Sequence, residues 1–254
     1  MTSPIVLPPV VLQKTAAPTT SPRYVHIDTS AVVDLMAAEG FTPTSISVSS
    51  FRDGGLYARH QLDFRRSDWA TAPQADSRGG YTPRMLFTNS HDASTSASFM
   101  LGVFSFVCSN GLVVGSVYAR ERVRHVGQNA SELIGRMQTL AQNTGPLFAQ
   151  IARWRATSLS SARVREFARL ASQLRWGDPH RFAADEVLKI RRAEDDASDL
   201  WTVFNRVQEN TVRGGLNGLS RTGRAATSRP LSEIVGSTAY NAQLWRLAEE
   251  FAAL

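Results

Sequence analysis

One cysteine stands in 254 residues. Cys108 therefore has no partner for an internal disulfide, and a cysteine-based zinc cluster is out of reach. No run approaches the roughly 18 apolar residues that span a bilayer, so no membrane partner is expected. The opening stretch MTSPIVLPPVVLQKTAAPTTSPR lacks a basic n-region and is interrupted by Pro4, Pro8, Pro9, Pro18 and Pro22, which argues against a secretory signal and for a cytoplasmic location. Lysine is scarce as well: Lys14 and Lys189 stand alone, and arginine supplies the rest of the 28 basic residues. What remains is 43% hydrophobic and 20% charged, the composition of a globular chain long enough for a substantial core.

The net charge of +6 is unevenly spread. Residues 1–119 hold 8 basic and 8 acidic side chains, residues 120–192 hold 14 and 6, and residues 193–254 hold 6 and 8. Heavy arginine use reflects genome composition as readily as function, but composition alone does not concentrate charge in one third of a chain. The basic middle is a candidate polyanion surface, since the planar guanidinium fork suits phosphate.

Along the chain, residues 1–23 are crowded with proline and threonine and read as a flexible arm, leaving residues 24–254 as a single domain. DTSAVVDLMAAEG, residues 28–40, has an N-cap at Asp28 or Thr29, apolar Val32, Val33, Leu35 and Met36, and a terminal Gly40, the marks of a short helix. SISVSSF and LYARHQLDF alternate on either side of the turn residues RDGG, predicting a hairpin. In the second strand Leu56, Ala58, His60, Leu62 and Phe64 share a core face; Tyr57, Arg59, Gln61, Asp63 and Arg65 share a wet one. Residues 66–82 form a polar loop. RMLFTN, SASFMLGVFSFVC and LVVGSVYAR predict three further strands, the last two joined at Ser109, Asn110 and Gly111. In that setting Cys108 ends a strand, and its neighbours Phe106 and Val107 suit a small core residue better than a nucleophile.

The second half has helical spacing. Leu133, Met137, Leu140, Thr144, Leu147, Ile151 and Trp154 form a narrow apolar seam, with Pro146 expected to kink the helix near its middle. SSARVREFARLASQLRWG points Val164, Phe167, Leu170, Ala171 and Leu174 inward and stops at Gly177. Asp178 and Pro179 predict the start of another helix. LWTVFNRVQENTVRGG and NAQLWRLAEEFAAL complete the set, separated by a Gly- and Arg-rich loop at 213–230. The expectation is an α+β fold: an antiparallel sheet of about five strands over residues 41–120, with a helical half from 126 to 254 packed on it.

In order along the chain, SHDAS, VCSNGL, LWTVFNRVQENTVRGG, TSRPLSEI and NAQLWRLAEEF resemble the phage/plasmid-like proteins grouped as domain of unknown function 932, over roughly residues 40–252. Where that family more often has glycine after His-Asp, this chain has Ala93, which speaks against a glycine-dependent turn there. The resemblance implies a setting in phages or plasmids and no settled activity. The order of helix, hairpin, further strands and long helix is similar, in topology alone, to the single-strand annealing recombinases such as Redβ and Erf, which bind single-stranded DNA in a basic groove and assemble into rings or filaments.

Two groups of residues are candidates for chemistry. His91 and Asp92 are adjacent and so point apart on a strand; a turn in which Asn89, Ser90 and Asp92 bond to backbone amides accounts for them without catalysis. His60 meeting His91 across the sheet would make a metal or proton-transfer pair, although no HExxH, CxxC or acidic loop accompanies them. Arg120, Arg122 and Arg124 alternate off the last strand, placing three guanidinium groups on one side, either to follow phosphates or to guard an exposed edge. Arg153, Arg155, Arg163, Arg165 and Arg169 extend the positive field along two helices, with Trp154 and Tyr118 as stacking partners for bases or, for Trp154, a core side chain. Arg213, Arg221 and Arg224 sit in a glycine-rich loop without P-loop spacing, so no nucleotide cofactor is indicated, and no metal is assigned. The expected function is binding of single-stranded nucleic acid in recombination or replication, with a homo-oligomer in prospect and no covalent chemistry. The alternatives are an enzyme acting on nucleic acid through His60, His91 and Asp92, or a protein-binding module against host defence that uses the apolar residues 5–12.

Overall fold

A computed structural model describes residues 5–49, 55–71, 81–105, 116–125, 130–142, 144–191, 193–231 and 234–253. The fold is α+β. A five-stranded antiparallel sheet runs in the order β1 (Phe41–Val48), β2 (His60–Arg66), β3 (Tyr81–Asn89), β4 (Ala97–Ser105) and β5 (Ser116–Val123). Internal contacts divide the chain into two compact units where a single domain over 24–254 is expected. The first comprises residues 1–75, 81–103 and 118–144; the second comprises 145–254 together with 76–80 and 104–117.

In the first unit, α1 (Pro9–Leu12) and α2 (Thr29–Ala38) precede the sheet and α3 (Ala130–Ala141) follows it. The Asp28 carboxylate caps α2 by accepting from the Ser30 and Ala31 amides at 2.9 and 3.3 Å. Gly40 takes φ +81° just beyond the helix, where a side chain would be strained, and turns the chain into β1. β1 and β2 pair with a register shift between Pro43 and Ser45. Proline has no amide to give to a ladder, so this irregularity belongs on an edge strand, which β1 is. His60, Leu62 and Phe64 lie opposite Asn89, Phe87 and Met85, making one apolar face that buries Phe99 and Leu101 as well.

Two expectations are corrected here. Residues 5–23 are not a loose arm: Val10, Val11 and Ala17 are buried, and the Ala17 amide donates to the His91 carbonyl at 2.8 Å. The apolar side chains of this segment outweigh its proline content, and Pro9 serves as the first residue of α1. Nor is the second face of β2 wet. Gln61 and Asp63 are buried; Gln61 Nε2 donates to Thr88 Oγ1 at 3.1 Å and Asp63 pairs with Arg84. Cross-strand partners remove the need for water. β4 lies inside the sheet with Ser98 through Leu101 all buried, as its two apolar faces predict. The turn residues 52–54, the Asn110–Gly111 turn and Cys108 fall outside the described residues.

The second unit contains α4 (Thr144–Ala156), α5 (Ser161–Trp176), α6 (Ala184–Val187), α7 (Leu200–Arg213), a hairpin of β6 (Asn217–Leu219) and β7 (Ala225–Thr227), and α8 (Ile234–Ala253). The predicted seam divides between two helices: Leu133, Met137 and Leu140 are buried in α3 of the first unit, Leu147, Ile151 and Trp154 are buried in α4, and Thr144 between them is half-buried. The break precedes Thr144, so Pro146 sits in the first turn of α4, where its missing amide costs nothing. Asp178 and Pro179 make a turn closed by the Asp178 carboxylate on the His180 amide at 2.9 Å, and the next helix begins only at Ala184. Phe167 and Ala171 of α5 are buried as expected, together with Ala168 and Ser172, while Leu174 is exposed rather than inward. α7 is capped by Asp199 on the Thr202 amide at 3.0 Å, and its buried Thr211 and Gln208 bond to Tyr240 and Asn241 of α8. Trp154, Trp245, Trp201 and Phe204 form the aromatic centre, with the Trp154 and Trp245 rings 4.3 Å apart. Trp154 is fully buried and is therefore core, not a stacking platform for bases.

The β6–β7 hairpin lies against residues 181–182. A Cβ on Gly218 would stand 2.3 Å from the Arg181 carbonyl oxygen and 2.5 Å from the Phe182 ring, and the Leu219 amide donates to that same carbonyl at 2.9 Å.

Candidate functional site

Four of the five histidines of the chain gather in the first unit. His60 opens β2 and faces Asn89, the last residue of β3. Asn89 Nδ2 donates to the Ile27 carbonyl and to Thr29 Oγ1, each at 3.0 Å. The Thr29 hydroxyl proton is then directed at His60 Nε2, 2.8 Å away, so the imidazole carries its own proton on Nδ1 and donates it to the Ala58 carbonyl at 2.9 Å. His60 is thus a neutral, fully bonded imidazole, and burial pushes its pKa down to about 4.

His91 lies 5.0 Å from His60, ring centre to ring centre, and 4.5 Å from His26. Its Nε2 donates to the Val10 carbonyl at 3.0 Å, leaving Nδ1 buried without a partner. Burial first, and the neighbouring imidazoles second, hold it down at about 3. His125 donates from Nδ1 to the Val25 carbonyl at 3.0 Å and stacks on Tyr24 at 4.5 Å; its Nε2 has no hydrogen-bond partner. His26 has both ring nitrogens shielded from solvent, with the Gln13 backbone beside the ring favouring its charged form. Burial lowers the pKa of His26 and of His125 as well. Tyr24 donates to the Ser90 carbonyl at 2.8 Å, and burial pushes its phenol up.

His60 and His91 do meet, ring beside ring, but their hydrogen bonds go to Thr29, Ala58 and Val10 rather than to each other, and Asp92 is turned aside. Its carboxylate accepts from the Ser94 amide at 2.9 Å; burial works against ionisation, but bonds from Ser94 and Ser90 hold the carboxyl below the usual range. Ser90 Oγ accepts from the Thr95 amide at 3.1 Å. That is the backbone-bonded turn expected for Ser90 and Asp92, except that Asn89 serves the Ile27 carbonyl and Thr29. Ala93 adopts φ 64° in this turn, so the left-handed geometry is made without glycine. A cavity of about 310 Å³ opens beside it, lined by Ser21, Tyr24, Ala93, Ser94, Thr95, Ser96 and His125. His60 and His91 are fully enclosed, and among the described residues no three His, Cys, Asp or Glu side chains are placed to hold a metal ion. Sequence reasoning missed Tyr24, His26 and His125 as members of this group. Nothing local signals them, because the partners are 31 to 100 residues apart.

The arginines are distributed over both units. On β5 and just beyond it, Arg120, Arg122 and Arg124 are exposed while Val123 is buried, as alternation requires. Arg120 also donates to Ser98 Oγ at 3.3 Å, and burial followed by the nearby Arg122 charge lowers its pKa. β5 is the edge strand opposite β1. Glu121, on the other side of β5, pairs with Arg136 of α3. In the second unit Arg153 and Arg165 are exposed, and Arg155 is half-buried. Arg163 donates to the Phe251 carbonyl at 2.8 Å, Arg169 makes a two-point pair with Glu166, and Arg213 lies 3.5 Å from Glu209. Arg221 and Arg224 are exposed at the β6–β7 turn. The side chain of Tyr118 lies outside the described residues.

A family model described as "Domain of unknown function (DUF932)" matches residues 18–245. The chain belongs to this family. It is similar to two proteins of Escherichia coli (strain K12). UPF0380 protein YafZ is 32% identical over 237 residues, covering 90% of this chain and 82% of that protein. UPF0380 protein YfjQ is 31% identical over 237 residues, with the same coverage of each chain. No solved structure matches the chain. The DUF932 region takes in the whole histidine group and Arg120, Arg122 and Arg124, and it ends within α8 of this DUF932 chain. No helix among the described residues is long and apolar enough to cross a membrane.

Proposed function

We propose that this protein binds single-stranded nucleic acid by neutralising its phosphates, in the recombination or replication of a phage- or plasmid-like element, in the manner of strand annealing and as a homo-oligomer. The observation that carries the reading is the exposure of Arg120, Arg122 and Arg124 along one side of the edge strand β5. Alternate residues of a strand are about 6.6–6.8 Å apart, so three guanidinium groups address successive backbone phosphates of an extended strand. Arg153, Arg165, Arg221 and Arg224, exposed in the second unit, are further candidates for backbone contact. Such contacts carry no base readout and no covalent step. The enclosure of His60 and His91 makes them poor candidates for a site that a substrate enters.

Fluorescence anisotropy of a labelled single strand tests this. Three phosphates neutralised on a single strand give a slope of about −2 in log affinity against log salt, so a fourfold rise in salt weakens binding about twentyfold. Changing Arg120, Arg122 and Arg124 together to Gln is expected to remove most of that slope while the circular dichroism spectrum is kept. Equal affinity of the triple variant, or no binding by the native protein at low salt, overturns the proposal.

A further inference from the structure

The histidine group does more than fill space, because it is what holds the N-terminal segment to the sheet. His91 Nε2 grips the Val10 carbonyl, the His91 carbonyl receives the Ala17 amide, His125 Nδ1 grips the Val25 carbonyl, and the His125 carbonyl receives the Val25 amide. His26, from the segment itself, is wedged against His91. We infer that His26, His91 and His125 form a proton-operated latch, closed when neutral, that releases residues 5–27 from the sheet when it takes up protons.

The argument is one of missing acceptors. A second proton on His91 would sit at Nδ1, which is buried and has no partner. On His125 it would sit at Nε2, buried beside the Thr95 backbone, which favours the charge but makes no hydrogen bond to Nε2 in the closed form. On His60 it would displace the proton that Thr29 already directs at Nε2, while Asn89 occupies the oxygen. The charged groups near enough to matter are few. Asp28 favours a charge on His26 and Lys14 opposes it, and Lys14 and Asp28 are themselves paired at 2.7 Å. Asp92 acts on His60 and on Tyr24, with its carboxylate committed to Ser94. With ring centres 4.5 to 5.0 Å apart, each proton taken up also opposes the next. Undocking residues 5–27 exposes His26, His91 and His125 to water and leaves the β1–β2–β3 pairing intact.

Hydrogen exchange read by mass spectrometry, at about pH 7.5 and about pH 5 with the intrinsic rates divided out, tests the latch. Peptides from residues 8–27 are expected to lose protection by about tenfold or more at the lower pH, while those from β2, β3 and α7 keep theirs. In the His26→Phe variant, which keeps a ring of similar size but cannot charge, opening is expected to need about tenfold more acid. Imidazole proton shifts followed by NMR give a second readout on the native protein: His91 and His125 are expected to titrate together with the loss of segment protection. Uniform loss of protection across the sheet, an unchanged opening pH in His26→Phe, or imidazoles that titrate while the segment stays docked would overturn the inference.

Discussion

Removing Asp63 takes the paired carboxylate from a buried guanidinium, and the size of the loss follows from the burial of the pair. Asp63 on β2 is 1% exposed and Arg84 on β3 is 8% exposed; they meet diagonally across the sheet on the face that also carries Gln61 and Thr88. Asp63→Leu takes from Arg84 the carboxylate it pairs with across the sheet. Burial brings Arg84 down to about 10, which still leaves it charged at neutral pH. Breaking a buried pair by removing one partner typically costs about 3–5 kcal/mol, a large part of the roughly 5–15 kcal/mol that holds a domain folded. The double variant Asp63→Leu/Arg84→Met removes both charges and is expected to fall within about 1 kcal/mol of the native protein or to exceed it. Urea unfolding at neutral pH, followed by circular dichroism, measures all of these and gives the coupling energy. A single variant that loses less than about 1 kcal/mol, or a double variant as unstable as Asp63→Leu, would refute the reasoning.

Two further outcomes follow from the same physics. His60 is held neutral in the folded chain, whereas the unfolded chain takes up a proton near 6.5; the unfolded form therefore gains on acidification, and stability should fall by about 1.4 kcal/mol per pH unit from this group between about pH 6.5 and 4. Urea midpoints taken across that range check it, and midpoints that stay level would contradict the assignment. Ala93→Gly relieves a left-handed alanine at roughly 1 kcal/mol but gives the unfolded chain more freedom, for a net gain of a few tenths of a kcal/mol; a clear drop in Tm would show that Ala93 makes a contact worth more than its strain.

Local chemistry is what the sequence displays, and the elements governed by it came through. Asp28 with Gly40 bounds α2, alternation marks β1 and β2, and the four-and-three spacing from Leu133 to Trp154 picks out side chains that are in fact buried. Errors arose where a distant partner decides. The 5–23 segment has a disordered composition, yet His91 and His125 give its carbonyls donors and the sheet gives Val10 and Val11 a place to bury. Asp63 and Gln61 look solvent-facing because their partners, Arg84 and Thr88, are more than twenty residues away. The His60–His91 meeting was legible from strand pairing, but His26 and His125 enter from opposite ends of the sheet region and leave no spacing to read.

The contact of Gly218 with residues 181 and 182 bears on Arg221 and Arg224. Because the base of that hairpin rests directly on the Arg181 carbonyl and is tied to it from both sides, by the Leu219 amide and by Arg181 Nε on the Leu219 carbonyl, the tip cannot swing far. A residue with no side chain thus sets where the backbone that carries Arg221 and Arg224 lies against residues 181 and 182. The turn between β6 and β7 is thereby anchored within that unit.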